Sequence, residues 1–255
     1  MPHHIGVHPQ KVVGAERVLA VLVELGKYAT GISLDELTSI MGESKPTVHR
    51  ALATLQKSGL ATKTERGSYL LGDEFVRIAN KFQFARPEVI NLEPVMRRLS
   101  SSFGETVHYA VLDGIDVVYR AKIDAPEGPV KLSSVIGGRN PAYCTAVGKL
   151  LLGYEYKDYE SFLNWASEVR LKRKTENTIT STKKLWEAVV ACREQGYAVD
   201  DQENELGINC IAFPVFSGKE QKPTGALSIS GLAFRTPITK LVSKRREIIK
   251  IVQGI

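Results

Sequence analysis

From Leu34 onward, apolar side chains recur three and four positions apart: Leu34, Leu37, Ile40 and Met41, then Val48, Ala51, Leu52 and Leu55. That period places each set on one face of a helix. Ser33, three residues ahead of Glu36, has the spacing at which each side chain satisfies a free amide at a helix start. Gly42 supplies the positive φ that lets the chain stop and restart within a few residues. Ser44 is the expected cap of the restart, and Pro46 falls in the first turn, where a missing amide hydrogen costs little. Past Gly59 the pattern shortens. Residues 61–63 and 69–71 read as two short strands, with Glu65-Arg66-Gly67-Ser68 as the turn between them. Upstream, Val13, Val18, Leu19, Val21, Leu22 and Leu25 predict a helix over 12–28 that closes a three-helix core. Downstream, Phe75, Val76, Ile78, Ala79 and Phe82 predict a helix over 73–84. Helix, tight turn, helix and basic-tipped hairpin are the outline of a winged helix-turn-helix.

Ala85-Arg86-Pro87 breaks the pattern, because proline disfavours helix in the residue before it. A helix over 91–103 then leads into strand-like runs at 106–112, 117–123 and 130–135, a loop at 137–141 and a helix opening at Thr145 and running to 152. A helix over 181–195, strands at 197–201, 208–216 and 225–230, and a final helix over 237–253 complete the chain. Strands interleaved with long helices on mostly short turns predict an α+β second domain with a largely antiparallel sheet. The expected division is a flexible tail over 1–11, the winged unit over 12–72, a linker helix over 73–87 and the second domain over 88–255.

The 255 residues suffice for two ordinary domains, and 43% hydrophobic composition supports folded cores. A net charge of +6 permits nucleic-acid binding without demanding it. The charge is not spread: residues 1–86 hold 11 Lys and Arg against 8 Asp and Glu, and the rest 23 against 20. Lys45, Arg50, Lys57, Lys63 and Arg66, however, share a window with one acidic residue, Glu65. Three widely spaced cysteines argue against a disulfide framework and for a reducing cytoplasm. No apolar run approaches a membrane span, and no membrane partner is expected. His3, His4 and His8 read as part of the tail and not as a metal site.

With Val48, Ala51, Leu52 and Leu55 turned inward, the second helix presents Lys45, Thr47, His49, Arg50, Thr54 and Lys57 outward. Arg and Lys suit guanine edges and phosphates; His and Thr make shorter polar contacts. Ser44 at the helix start and Arg66 at the wing tip complete the candidate DNA-binding set. Alone, such charges are often no more than a solvated face; the capped helix, short turn and wing decide for DNA.

In the second domain, Thr145 can cap a helix whose first amides, at Ala146 and Val147, offer donors and a positive dipole end to a carboxylate. Residues 200–210 form a second polar segment. Ser228 and Ser230 point to the same side of a strand that would otherwise face a core. His108, between Val107 and Tyr109, reads as a packed core histidine.

With these segments in place the chain resembles the isocitrate lyase regulator (IclR) type of bacterial transcription factor, from about Val13 to Val252. The resemblance rests on Ser44-Lys45-Pro46-Thr47-Val48-His49-Arg50, on 136–149, on 200–210, and on Leu227-Ser228-Ile229-Ser230-Gly231, all in the family's order. It implies a winged-helix domain, a linker helix and a GAF-like effector-binding domain. It also implies homodimers through the DNA-binding halves, often paired into dimers of dimers, and regulation of a catabolic operon as repressor or activator. The palindromic operator such a dimer needs and a small organic acid are the expected partners. The acid's pocket maps onto Ala146, Val147, Asp200, Cys210, Ser228 and Ser230. Ala146 and Val147 stand where some relatives have glycine and alanine, which narrows or reshapes the carboxylate site.

Three rival readings compete, and one of them, a purely architectural DNA binder, would not require the second domain. An enzyme would use Cys144 or Cys210 as nucleophile and His108 as base, but no recognised signature pairs these residues, and binding alone accounts for the helix start. A metal site at Asp200, Asp201, Glu203 and Glu205 lacks the spacing and glycine of a calcium loop. The expectation is a regulator with no catalytic residue, metal or cofactor.

Overall fold

The computed structural model describes residues 14–126, 131–217 and 221–254. The expected tail and Val130 lie outside these residues. Contacts divide the chain between Arg86 and Pro87 into two compact units.

In the first unit, α1 (Gly14–Leu25), α2 (Leu34–Met41) and α3 (Lys45–Lys57) pack around Val21, Leu25, Leu37, Val48, Leu52 and Leu55, all buried. Each fully buried aliphatic chain contributes roughly 1.5–3 kcal/mol. The Ser33 hydroxyl accepts from the Glu36 amide, and the Glu36 carboxylate accepts from the Ser33 amide, so the capping box is complete. Gly42, at φ 64°, ends α2. The wing pairs β1 (Ala61–Lys63) with β2 (Tyr69–Leu71), and Ile32 bridges to Tyr69 on its other side. Gly72 is forced by packing: a Cβ there would stand 2.1 Å from the Gly59 carbonyl oxygen. Helix α4 (Asp73–Phe84) follows.

The second unit opens with α5 (Pro87–Phe103), which starts four residues earlier than its period suggested. The proline that ends one helix is well placed in the first turn of the next. Then come β3 (Thr106–Asp113), β4 (Asp116–Ile123), β5 (Arg139–Pro141) and a single 3-10 turn at Ala142–Cys144. Helices α6 (Ala146–Glu155), α7 (Tyr159–Ser167) and α8 (Thr182–Gln195) precede β6 (Ala198–Asp201), β7 (Ile208–Val215) and β8 (Gly225–Leu232). The chain closes with α9 (Ile238–Ser243) and α10 (Arg245–Val252).

The strands form one antiparallel sheet in the order β5-β4-β3-β8-β7-β6. One face packs Val107, Tyr109, Ile211, Phe213, Leu227 and Ile229 against α5, α9 and α10. The other carries Ala110, Ala198, Ala212 and Ala226, small residues that let α6, α7 and α8 lie close. The fold is α+β, as expected.

Three local readings need correction. Among the described residues, 131–135 is no strand. Lys122 Nζ donates to the carbonyls of Leu132 and Ser134, each at 2.8 Å, holding this segment without a ladder. The strand lies instead at Arg139–Pro141, expected as loop. The final helix breaks at Lys244, where the Ser243 hydroxyl takes the Lys240 carbonyl at 2.7 Å and competes with the helical bond. Helix α7 was not foreseen, although Asp158 caps it and Phe162, Trp165 and Ala166 have its spacing.

A candidate DNA-reading face and a candidate effector pocket

Helix α3 buries Val48, Ala51, Leu52 and Leu55 and leaves Lys45, His49 and Arg50 exposed, with Thr47 half-buried. Ser44 occupies the cap position, but its hydroxyl bonds the Thr47 hydroxyl at 2.8 Å and no backbone amide. Lys45 pairs with Asp35 of α2 at 2.5 Å, while Arg50 forms no ion pair among the described residues. Arg66 is exposed in the wing turn, where Gly67 takes φ 87°.

In the second unit the strand register assembles the predicted residues. Asp200, Cys210 and Ser230 lie directly opposite one another across β6, β7 and β8, and Ala212, Ser228 and His108 form the next row. Residues opposite in register share a face. Helix α6 covers the alanines of that face and begins short of its polar row. The uncovered space is a cavity of about 690 Å³, lined by Ala146, Val147, Asp200, Cys210, Ser228 and Ser230 among others. All six expected residues line one space.

The helix start is built for close approach. Thr145 Oγ1 accepts from the Gly148 amide at 3.1 Å, so Thr145 caps α6. A Cβ on Gly148 would fall 2.1 Å from the Ala142 carbonyl oxygen, so glycine is what lets the helix end seat here. The amides of Ala146 and Val147 precede the first helical hydrogen bond and are free to meet an anion.

Burial governs the electrostatics. Asp200, 3% exposed, accepts at Oδ1 from the Glu203 amide at 2.7 Å and the Asn204 amide at 3.4 Å. Burial nevertheless pushes its carboxyl up to about 7, outweighing those bonds. His108 is pulled down to about 3, mainly by burial and then by Lys122, so its ring is neutral. Its Nε2 meets Ser134 Oγ at 2.7 Å and its Nδ1 meets Ser230 Oγ at 3.5 Å. Arg139 lines the rim but pairs outward with Asp113 and Asp116.

Several lining residues were missed. Tyr119, Asn140, Ser134 and Asn204 all face the cavity. Tyr119 and Lys122 stand three apart, which strict alternation puts on opposite faces. The β3–β4 register shifts between Tyr109 and Ala110, so Ala110 faces Tyr119 and His108 faces Lys122. That bulge brings both to the pocket side. His108 is a buried histidine, as expected, and also a wall of the cavity.

The cysteines are poor nucleophiles. Burial raises the Cys144 thiol to about 12 and raises Cys210 as well, while His108 hydrogen-bonds to Ser134 and Ser230 and to neither cysteine among the described residues. Among the described residues no group of three His, Cys, Asp or Glu could hold a metal ion.

A helix-turn-helix carrying a basic outward helix, joined in one chain to a separate α+β domain with a pocket, defines a DNA-binding transcriptional regulator. The family model for the IclR helix-turn-helix domain matches residues 14–65, and that for the bacterial transcriptional regulator IclR C-terminal domain matches 88–255. The chain is 34% identical over 238 residues to the HTH-type transcriptional regulator KdgR of Escherichia coli (strain K12), covering 93% of this chain and 87% of that protein. It is 31% identical over 215 residues to the DNA-binding transcriptional repressor YiaJ of the same organism, covering 84% and 76%. The crystal structure of Thermotoga maritima IclR superposes with a TM-score of 0.75 at 25% identity, covering 94% of each chain. The chain belongs to the IclR family of transcriptional regulators, and it is a regulator and not an enzyme.

Proposed function

We propose that this protein controls a catabolic operon by binding a palindromic operator as a homodimer, and that a small organic acid in the second-domain cavity sets its affinity for that operator. The observation that carries the reading is the cavity itself: free amides of a helix start and the Asp200, Cys210, Ser230 row open onto one space in a chain that also presents a basic reading helix. Ser44, Lys45, Thr47, His49, Arg50 and Arg66 contact the DNA, with α3 in the major groove and the wing beside it. The action takes place in the cytoplasm, with the DNA.

Exposed apolar side chains support the dimer. Leu19 and Val23 on α1 and Val76, Ile78 and Phe82 on α4 are all about half exposed or more in the isolated chain, which suits a face covered by a second copy. Two reading helices would then sit one turn of DNA apart or a multiple of it.

The two halves of this reading are tested by separate variants. Arg50→Ala should weaken specific operator binding by roughly 1–3 kcal/mol, as measured by fluorescence anisotropy; unchanged affinity would remove Arg50 from the readout. Asp200→Ala should leave operator binding intact and abolish the response to the acid. Full acid affinity by calorimetry in that variant would overturn the pocket assignment.

A further inference from the structure

The reading face of the first unit presents apolar surface as well as charge. Leu34, at the start of α2, and Pro46, the second residue of α3, line an open hollow of about 750 Å³ together with Lys45, His49 and Arg50. Leu34 is half-buried against the first-unit core and the other four are exposed, so Leu34 lies deepest. Neither the Leu34 nor the Pro46 side chain can donate or accept a hydrogen bond, and Pro46 has no amide hydrogen either. The acids nearby are already engaged: Asp35 pairs with Lys45, the Glu36 carboxylate closes the Ser33 cap, and Glu43 pairs with Arg17 at 3.0 Å. The hollow is an apolar patch with a basic margin.

A basic margin suits the phosphate-lined mouth of a groove, whereas the core of a protein interface is depleted in lysine. The position suits it too, because the first residues of the second helix in this motif are the ones that reach base edges. Against an apolar patch the bases are not equivalent. The N7 acceptors of the purines and the amino group of cytosine would lose water there and gain no bond; thymine alone adds a methyl group to the major groove. Resting on the proposed docking of α3 in the major groove, we infer that Leu34 and Pro46 form a specificity pocket for the C5-methyl group of one thymine in each operator half-site.

The test replaces each thymine of a recovered operator in turn by deoxyuridine, which pairs identically with adenine and lacks only the methyl, and measures affinity for the full chain by fluorescence anisotropy. One position in each half-site should lose roughly fourfold, the ratio expected for one buried carbon. Pro46→Ala should shrink that thymine-to-uracil ratio, and adding Leu34→Ala should bring it close to one. The ratio compares two DNAs against the same protein preparation, so any unfolded fraction in a variant cancels. If a specific operator tolerates uracil at every thymine, or if the sensitive thymine keeps its full ratio in the double variant, the pocket does not read a methyl and the inference is wrong while the major-groove docking stands. If no fragment is bound with sequence preference, the docking itself is wrong and the inference falls with it.

Discussion

Asp200 shows how one buried side chain couples the pocket to pH. Its ordinary carboxyl value is 3.8 and burial raises it to about 7, against the opposing bonds from the Glu203 and Asn204 amides. Below the ordinary value both folded and unfolded chains are protonated and nothing is lost. As pH rises toward 7 the unfolded chain releases this proton while the folded chain keeps it, so stability falls with rising pH, and the loss is complete above the folded value. The size is on the order of 4 kcal/mol across the window. Asp200→Asn should therefore remove this fall and leave the opposite rise that His108 contributes, since its ring, ordinarily at 6.5, is pulled down to about 3 in the fold. Trp165 and Trp186, the two tryptophans of the chain, both lie in that unit, so tryptophan emission during urea unfolding reads it selectively. A wild-type stability with no fall between about pH 4 and about pH 7 relative to the variant would show that Asp200 is not held protonated. At this scale the sequence was uneven. Ser228 and Ser230 stood out because two polar residues on one side of a strand contradict a core; Tyr119 did not, because a bulge set by pairing with β3 turned it inward, and nothing local to Tyr119 marks that shift.

Helix α6 binds the pocket together as an element. Its first turn faces the cavity, and its second carries Lys149, which is buried and pairs with the buried Glu203 of the 202–207 loop, three residues past Asp200. That loop is held on its other side by Thr175 and Thr178, whose hydroxyls donate to the Gln202 and Glu203 carbonyls at 2.6 and 2.7 Å. Breaking a buried pair strands a charge, so Lys149→Met should destabilise the second unit by roughly 3–5 kcal/mol, and adding Glu203→Leu should restore most of that loss. A single variant with near-wild-type unfolding would show that the pair does not hold the loop. The helices with strong caps were legible: Ser33 with Glu36, Thr145 and Ser181 each mark a start that the structure keeps within a residue. The 131–135 segment was not, because its apolar alternation serves a segment held by Lys122, whose grip depends on long-range packing.

At the scale of the whole molecule, the exposed apolar residues of α1 and α4 are the feature that a lone chain does not explain. The periodicity over 73–84 gave the helix but not its role, since the same stripe that buries against a core serves equally against a second copy. Replacing Phe82, which is 60% exposed, by Asp should leave each unit folded yet halve the mass seen by sedimentation at working concentration, with loss of tight binding to a two-half-site operator. A dimer unchanged by that substitution would place the interface elsewhere.

The central claim is that a ligand in the second unit governs sequence-specific binding by the first. Its most direct test selects genomic fragments with the purified protein and titrates a recovered site by fluorescence anisotropy, at low and physiological salt, with and without a panel of small organic acids. A ligand-governed regulator should give a few palindromic sites, a specificity ratio that survives the higher salt, and an affinity that shifts when a binding acid is added. Weak, sequence-blind binding that collapses with salt and ignores every acid would contradict it.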